Sequence, residues 1–160
     1  MRPLASYGAA MAPPVPVWVR LGVAVTIGAP QLLIGLWAVV TPEHWFDRFP
    51  GVDPRLVAAS PPYNEHLASD AGGGFLATGI ALLVAAAWDR REALLVALLA
   101  YVSFTVPHVA HHALRAEDTL TGAEQAMQLV MLGSGVVLAA VFAYGIGLRP
   151  PLARAAAASS

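Results

Sequence analysis

Four stretches of this chain are long and apolar enough to cross a bilayer, and nothing else in the sequence limits the fold so strongly. They run over roughly residues 17–40 ("VWVRLGVAVTIGAPQLLIGLWAVV"), 70–88 ("DAGGGFLATGIALLVAAAW"), 92–112 ("EALLVALLAYVSFTVPHVAHH") and 123–147 ("AEQAMQLVMLGSGVVLAAVFAYGIG"). Each comes close to the about 20 residues that a helix needs to cover the hydrocarbon thickness. Lipid offers no partners to free backbone groups, so each stretch is expected to be a helix. Composition agrees: 12% of residues are charged, half the about 25% of soluble domains, too few to coat a water-facing surface. The expected fold is all-α, an integral membrane four-helix antiparallel bundle spanning residues 17–147 with a long loop over 41–69. The proline- and alanine-containing ends, 1–16 and 148–160, read as disordered tails. The first stretch is too long for a signal peptide and is interrupted by Pro30 and Gln31, so it is read as a mature span.

Arginine placement sets the expected orientation. Arg2, Arg20, Arg90, Arg91, Arg149 and Arg154 fall on one face of four antiparallel spans, and Arg48, Arg55 and Arg115 on the other. That bias puts both termini in the cytoplasm of a cell (inner) membrane. The net charge of -1 and the lack of a basic run argue against nucleic acid as a partner. The expected surroundings are the lipid bilayer and, as an open alternative, a larger membrane complex or a second copy of the chain. Without cysteine, disulfides, thiolate metal sites and cysteine nucleophiles are excluded.

Helices in lipid associate through small residues that let backbones approach. Gly135, Ala139, Ala143 and Gly147 recur every four residues and form one such stripe; Gly72, Gly73, Gly74 and Gly79 form another. The run "AGGGFLATG" lacks the lysine and preceding strand of a phosphate loop, so it is assigned to packing. "TPEHWF" reads as a short interfacial helix, with Thr41 as N-cap and Pro42 first. Pro107 removes one helical hydrogen bond, and a bend there would aim His108 inward.

The chemistry-bearing residues gather on one side. "TVPHVAHHALRAED" carries His108, His111 and His112 at the outer end of the third span. Spacings of three and four put His108 on a shared face with His111 or with His112. His66 and Asp70 are likewise four apart where the second span opens, and Glu124 opens the fourth. Asp70 and Glu124 there face the positive end of a helix dipole. His66, Asp70, His108, His111, His112 and Glu124 are therefore candidate ligands for a divalent metal, with Zn, Fe, Mn or Cu all open by nitrogen and oxygen ligation. The same groups suit a proton site or a polar pocket for a quinone or lipid head group. An interfacial role with no ligand stays open beside these. A membrane enzyme would need a haem, for example between His66 and His108, or a nucleophile. Ser103 and His108, five apart, diverge on a helix.

Two resemblances follow from particular motifs. "GLWAVVTPEHWF", "NEHLASDAGGGFLATG", the short polar turn "DRRE" and a last span from Glu124 to "YGIG" resemble the DoxX-like group of small four-helix membrane proteins. That likeness implies an accessory subunit tied to redox or quinone enzymes. "HVAHH" is similar to the HxxHH histidine box of membrane desaturases and hydroxylases, which would make His108, His111 and His112 iron ligands. Those enzymes use several boxes on the cytoplasmic side; this chain has one, on the opposite face.

Overall fold

The computed structural model describes residues 14–147, and within them the chain is helix and connecting loop with no strand. Helix α1 (Val17–Val40) leads into the short α2 (Pro42–Arg48), then come α3 (Glu65–Trp88), α4 (Arg91–Leu114) and α5 (Gly122–Gly145). All but α2 have the length and apolarity to cross a membrane, which makes this a small multi-pass membrane protein. The spans alternate in direction. The start of α1, the α3–α4 turn and the end of α5 share a proximal end; the loops 41–64 and 115–121 share a distal end. The tails expected over 1–16 and 148–160 lie almost wholly outside the described residues.

Helix boundaries follow from capping. Helix α3 begins at Glu65, five residues before the expected position, because Asn64 is extended and its Oδ1 accepts from the Leu67 amide at 3.1 Å. An N-cap of this kind satisfies a donor the helix leaves free. Asp70 is thus more than a turn inside α3, not at its N-terminus, which corrects the dipole argument made for it. Helix α5 starts behind a capping box: Thr121 Oγ1 accepts from the Glu124 amide, while Glu124 Oε2 accepts from the Thr121 amide at 2.7 Å. It ends at Gly145, and Gly147 leaves the helix with φ of 76°. Helix α2 forms with Pro42 in its first turn as expected, but Thr41 supplies no side-chain cap. Its hydroxyl donates instead to the Trp37 carbonyl, at 3.2 Å.

Pro30 does not break α1. Residues Ala24–Gly28 form one π-helical turn, and the Ala29 amide donates to Ala24, five residues back. Pro30 then falls in the first turn of the resumed α-helix, where its missing N–H costs little. Pro107 also lies within an unbroken helix.

Backbones meet closely along α1 and α3. A Cβ on Gly79 would stand 2.5 Å from the Leu32 nitrogen, and one on Gly72 2.8 Å from the Ala38 Cβ. Gly35 of α1 likewise abuts the backbone of Leu76. Gly74 receives the Phe104 ring of α4, whereas Gly73 faces open space and has no part in packing. On α5 the stripe holds at Gly135, which lies under the Tyr101 hydroxyl, at buried Ala139 and at partly buried Ala143. Gly147 lies beyond the helix, and a Cβ there would meet nothing within 4 Å, so it does not extend the stripe.

Two apolar cores result. The proximal one joins Val19, Val23 and Ile27 of α1 to Leu82, Leu94, Leu98 and Phe142. The distal one gathers Ala38, Trp45 and Ala68 under α2, with Trp37, Phe49 and Phe75 around them. Helices α1 and α5 touch at the proximal end, where Gly22 admits the Phe142 ring and Gly145 the Trp18 ring. Farther along they part: no Cα of Ala29–Val40 comes within 8 Å of one in α4 or α5. The close backbone approach of α1 to α5 is therefore confined to the proximal part of α1, residues 17–28.

Arginines lock the proximal end. Arg20 Nε donates to the Ala86 carbonyl at 2.7 Å, and its Nη1 lies 3.2 Å from Asp89 Oδ2. Asp89 is left-handed, at φ of 53°, and its other oxygen accepts from the Val15 amide at 3.0 Å. Arg91 donates to the Gly147 carbonyl. Both guanidiniums thus occupy the negative ends of helices, where cations are favoured.

Candidate functional site

The α4–α5 seam changes character along its length. Leu94, Ala97, Leu98, Tyr101 and Thr105 are the buried residues of α4, spaced to form one stripe. The same spacing continues to His108 and His112. Tyr101 over Gly135 fixes the antiparallel register. Equal steps toward the proximal end pair Ala97 with Ala139 and Leu94 with Phe142, all buried. Equal steps toward the distal end bring His108 level with Gln128, and His112 level with Glu124. The proximal half of the seam is apolar and the distal half is polar.

Several of these polar groups are enclosed. Thr105 is 5% exposed and Gln128 is 6% exposed. His112 Nδ1 is shielded from solvent with no hydrogen-bond partner among the described residues, and the Thr105 hydroxyl is enclosed beside the Tyr101 side chain. Unpaired buried polar atoms are rare and costly, and more so where the surroundings are lipid. The three imidazoles stack edge to face: His108 on His112 at 4.8 Å and 88°, His111 on His112 at 5.4 Å and 89°. His108 itself is exposed, so Pro107 does not turn it into the bundle as expected.

The other candidates lie elsewhere. His66 Nε2 and Asp70 Oδ2 face each other at 3.4 Å on the surface of α3, with side chains 82% and 64% exposed. Glu124 serves the α5 cap, holding the Thr121 amide and hydroxyl. His44 Nδ1 accepts from Trp37 Nε1 at 2.9 Å and ties α2 to α1. Among the described residues, no three His, Asp or Glu side chains converge closely enough to share a metal ion. The structure brings together His108, His111 and His112, and leaves His66, Asp70 and Glu124 in separate local roles.

The distal loops are tied across the seam. Ser60 Oγ donates to Glu117 Oε1 at 2.7 Å, Thr119 Oγ1 to the Ala59 carbonyl at 2.9 Å, and Gln125 Nε2 to the Glu117 carbonyl at 3.1 Å. An open hollow of about 240 Å³ lies beside this seam, lined by Arg55, Ala59, Thr119, Leu120 and Glu124 among others. Thr105 belongs with Tyr101 and His108 by spacing alone. The signal was present: a threonine four residues after a tyrosine and three before a histidine shares their face. No family model, no curated protein and no solved structure matches the chain.

Proposed function

We propose that the protein lies in a cell membrane with its proximal end in the cytoplasm, and that the histidines at its outer rim form a proton-exchanging site. The orientation is supported by the arginine bias, here bound into helix ends through Arg20 and Arg91. One observation carries the site: three imidazoles lie ring to ring, and the central ring, His112, has a shielded nitrogen without a partner. Imidazole both donates and accepts a proton near neutrality. Adjacent rings therefore bind protons as a coupled set. The donor set favours protons over a metal, since among the described residues no three ligating side chains converge.

Nitrogen-15 NMR of histidine-labelled protein in nanodiscs tests this. Replacing His112 with Gln should change the titration of His108. A titration of His108 unchanged by the substitution would refute it. The chain has no cysteine, so single cysteines report the orientation. An impermeant maleimide applied outside intact cells should label Ser60→Cys and spare Glu92→Cys.

A second reading, that of an accessory subunit as the likeness to the DoxX-like group implies, rests on α5. Only 17% of its span window is buried within the bundle, against 28–33% for the other spans. Under that reading, a stable partner copurifies in mild detergent whether or not the histidines are present.

A further inference from the structure

We infer that the hollow at the distal end holds the head group of a phosphoethanolamine lipid, its phosphate on Arg55 and its ammonium on Glu124. The hollow measures about 240 Å³ and is lined from two sides. The long loop supplies Pro54, Arg55 and Ala59, and the start of α5 supplies Glu124. Thr119 and Leu120, from the loop before α5, complete the wall. Hydrogen bonds from Ser60 to Glu117 and from Thr119 to the Ala59 carbonyl hold the two sides together.

Opposite charges line this space without meeting. Arg55 Nε donates to Asp53 Oδ1 at 3.0 Å and Nη1 to the Asp47 carbonyl at 3.1 Å, while Nη2 has no partner among the described residues. The Asp53 side chain is 83% exposed, so water screens that pairing. From the α5 side, Glu124 Oε2 accepts from the Thr121 amide and hydroxyl, while Oε1 has no partner among the described residues. Arg55 and Glu124 form no ion pair with each other. A lone anion drawn to Arg55 would also meet the carboxylate, and a lone cation drawn to Glu124 would also meet the guanidinium. A ligand that carries both signs suits the two sides together. Guanidinium matches a phosphate, and a carboxylate oxygen accepts an N–H from a primary ammonium.

Depth selects a lipid as the source. Glu124 stands in the first turn of a helix long enough to cross the membrane, which is the level of the lipid head groups. The rings of Trp45, Phe46, Phe49 and Tyr63 gather at the same end, as aromatic side chains do at that level. Apolar Pro54, Ala59 and Leu120 beside the charges offer contact to the glycerol backbone that follows the phosphate.

The test titrates dioleoyl lipids with ethanolamine, choline or glycerol heads into the full chain in detergent, read by native mass spectrometry and thermal unfolding. The ethanolamine lipid should bind saturably and roughly threefold to tenfold tighter than the other two, the share of one hydrogen bond. The choline nitrogen has no N–H to donate, and the glycerol head has no cation. Glu124→Gln should abolish this preference while leaving α5 capped, because glutamine also closes a capping box; unchanged circular dichroism checks the fold. Arg55→Gln should weaken binding of the ethanolamine lipid. Equal binding of ethanolamine and choline lipids, tighter binding of the glycerol lipid, a preference that survives Glu124→Gln, or full binding by Arg55→Gln would overturn the proposal. Displacement of the lipid by free O-phosphoethanolamine would overturn the lipid assignment in favour of a soluble ligand.

Discussion

Adding a single methyl at Gly79 tests the α1–α3 contact on which the bundle depends. The new Cβ would stand 2.5 Å from the Leu32 nitrogen and 2.9 Å from its Cα, where ordinary contact begins at 3.4 Å. The obstruction is backbone, which cannot swing aside as a side-chain tip can. The two helices must therefore separate by most of an ångström along a seam that also packs Gly35 and Gly72. Overpacking of this kind costs about 1–3 kcal/mol. Gly73, six residues earlier on the same helix, is the control, because a Cβ there meets nothing within 4 Å. Both substitutions gain the same helix propensity, about 1 kcal/mol in water. That gain cancels between them, so the two variants should differ by the strain alone. Unfolding in mixed micelles with rising dodecyl sulfate, followed by tryptophan fluorescence, measures each midpoint. Gly73→Ala should be neutral or stabilising, and Gly79→Ala should fall below it by about 1–3 kcal/mol. If the two variants shift the midpoint alike, the backbones of α1 and α3 do not meet at Gly79.

Other perturbations probe the ends of the spans. Arg20→Met removes the donor to Ala86 and the partner of Asp89, and should cost about 1–3 kcal/mol in the same assay; adding Asp89→Asn should recover part of that loss. Thr121→Ala breaks the capping box of α5 and should lower stability by about 1 kcal/mol. Asn64→Ala should cost a similar amount, and amide exchange should rise at Leu67, whose N–H loses its acceptor. Trp37 is bonded to His44, so His44→Phe should alter tryptophan emission while leaving helix content unchanged.

The four spans were legible because hydrocarbon thickness and helical rise leave little choice once a run of about 20 apolar residues is present. Their ends were less so. The start of α3 at Glu65 depends on Asn64 turning its side chain back on the helix, and the polar run "YNEH" hides that signal among loop residues. Glycine spacing identified Gly72, Gly74, Gly79 and Gly135 as contacts. It could not tell Gly73, which faces outward, from its neighbours. Of the histidines, the α4 trio was legible because local spacing alone brings those rings together. Whether His66 joined them depended on how α3 and α4 rotate about their axes, and period and composition do not encode that. The pairing of Arg20 with Asp89 was hidden for the same reason: it joins residues of two different spans.

That pairing also constrains the order in which the protein can be made. Arg20 lies four residues into the first span, and the carbonyl it caps lies 66 residues farther along the chain. A ribosome delivers the guanidinium to the membrane well before its partners have been synthesised. Until α3 arrives beside it, the Arg20 guanidinium has neither the Ala86 carbonyl nor the Asp89 carboxylate to hold. Before that the side chain can only snorkel to the interface, so the contacts that lock the proximal end form no earlier than the arrival of the second long span.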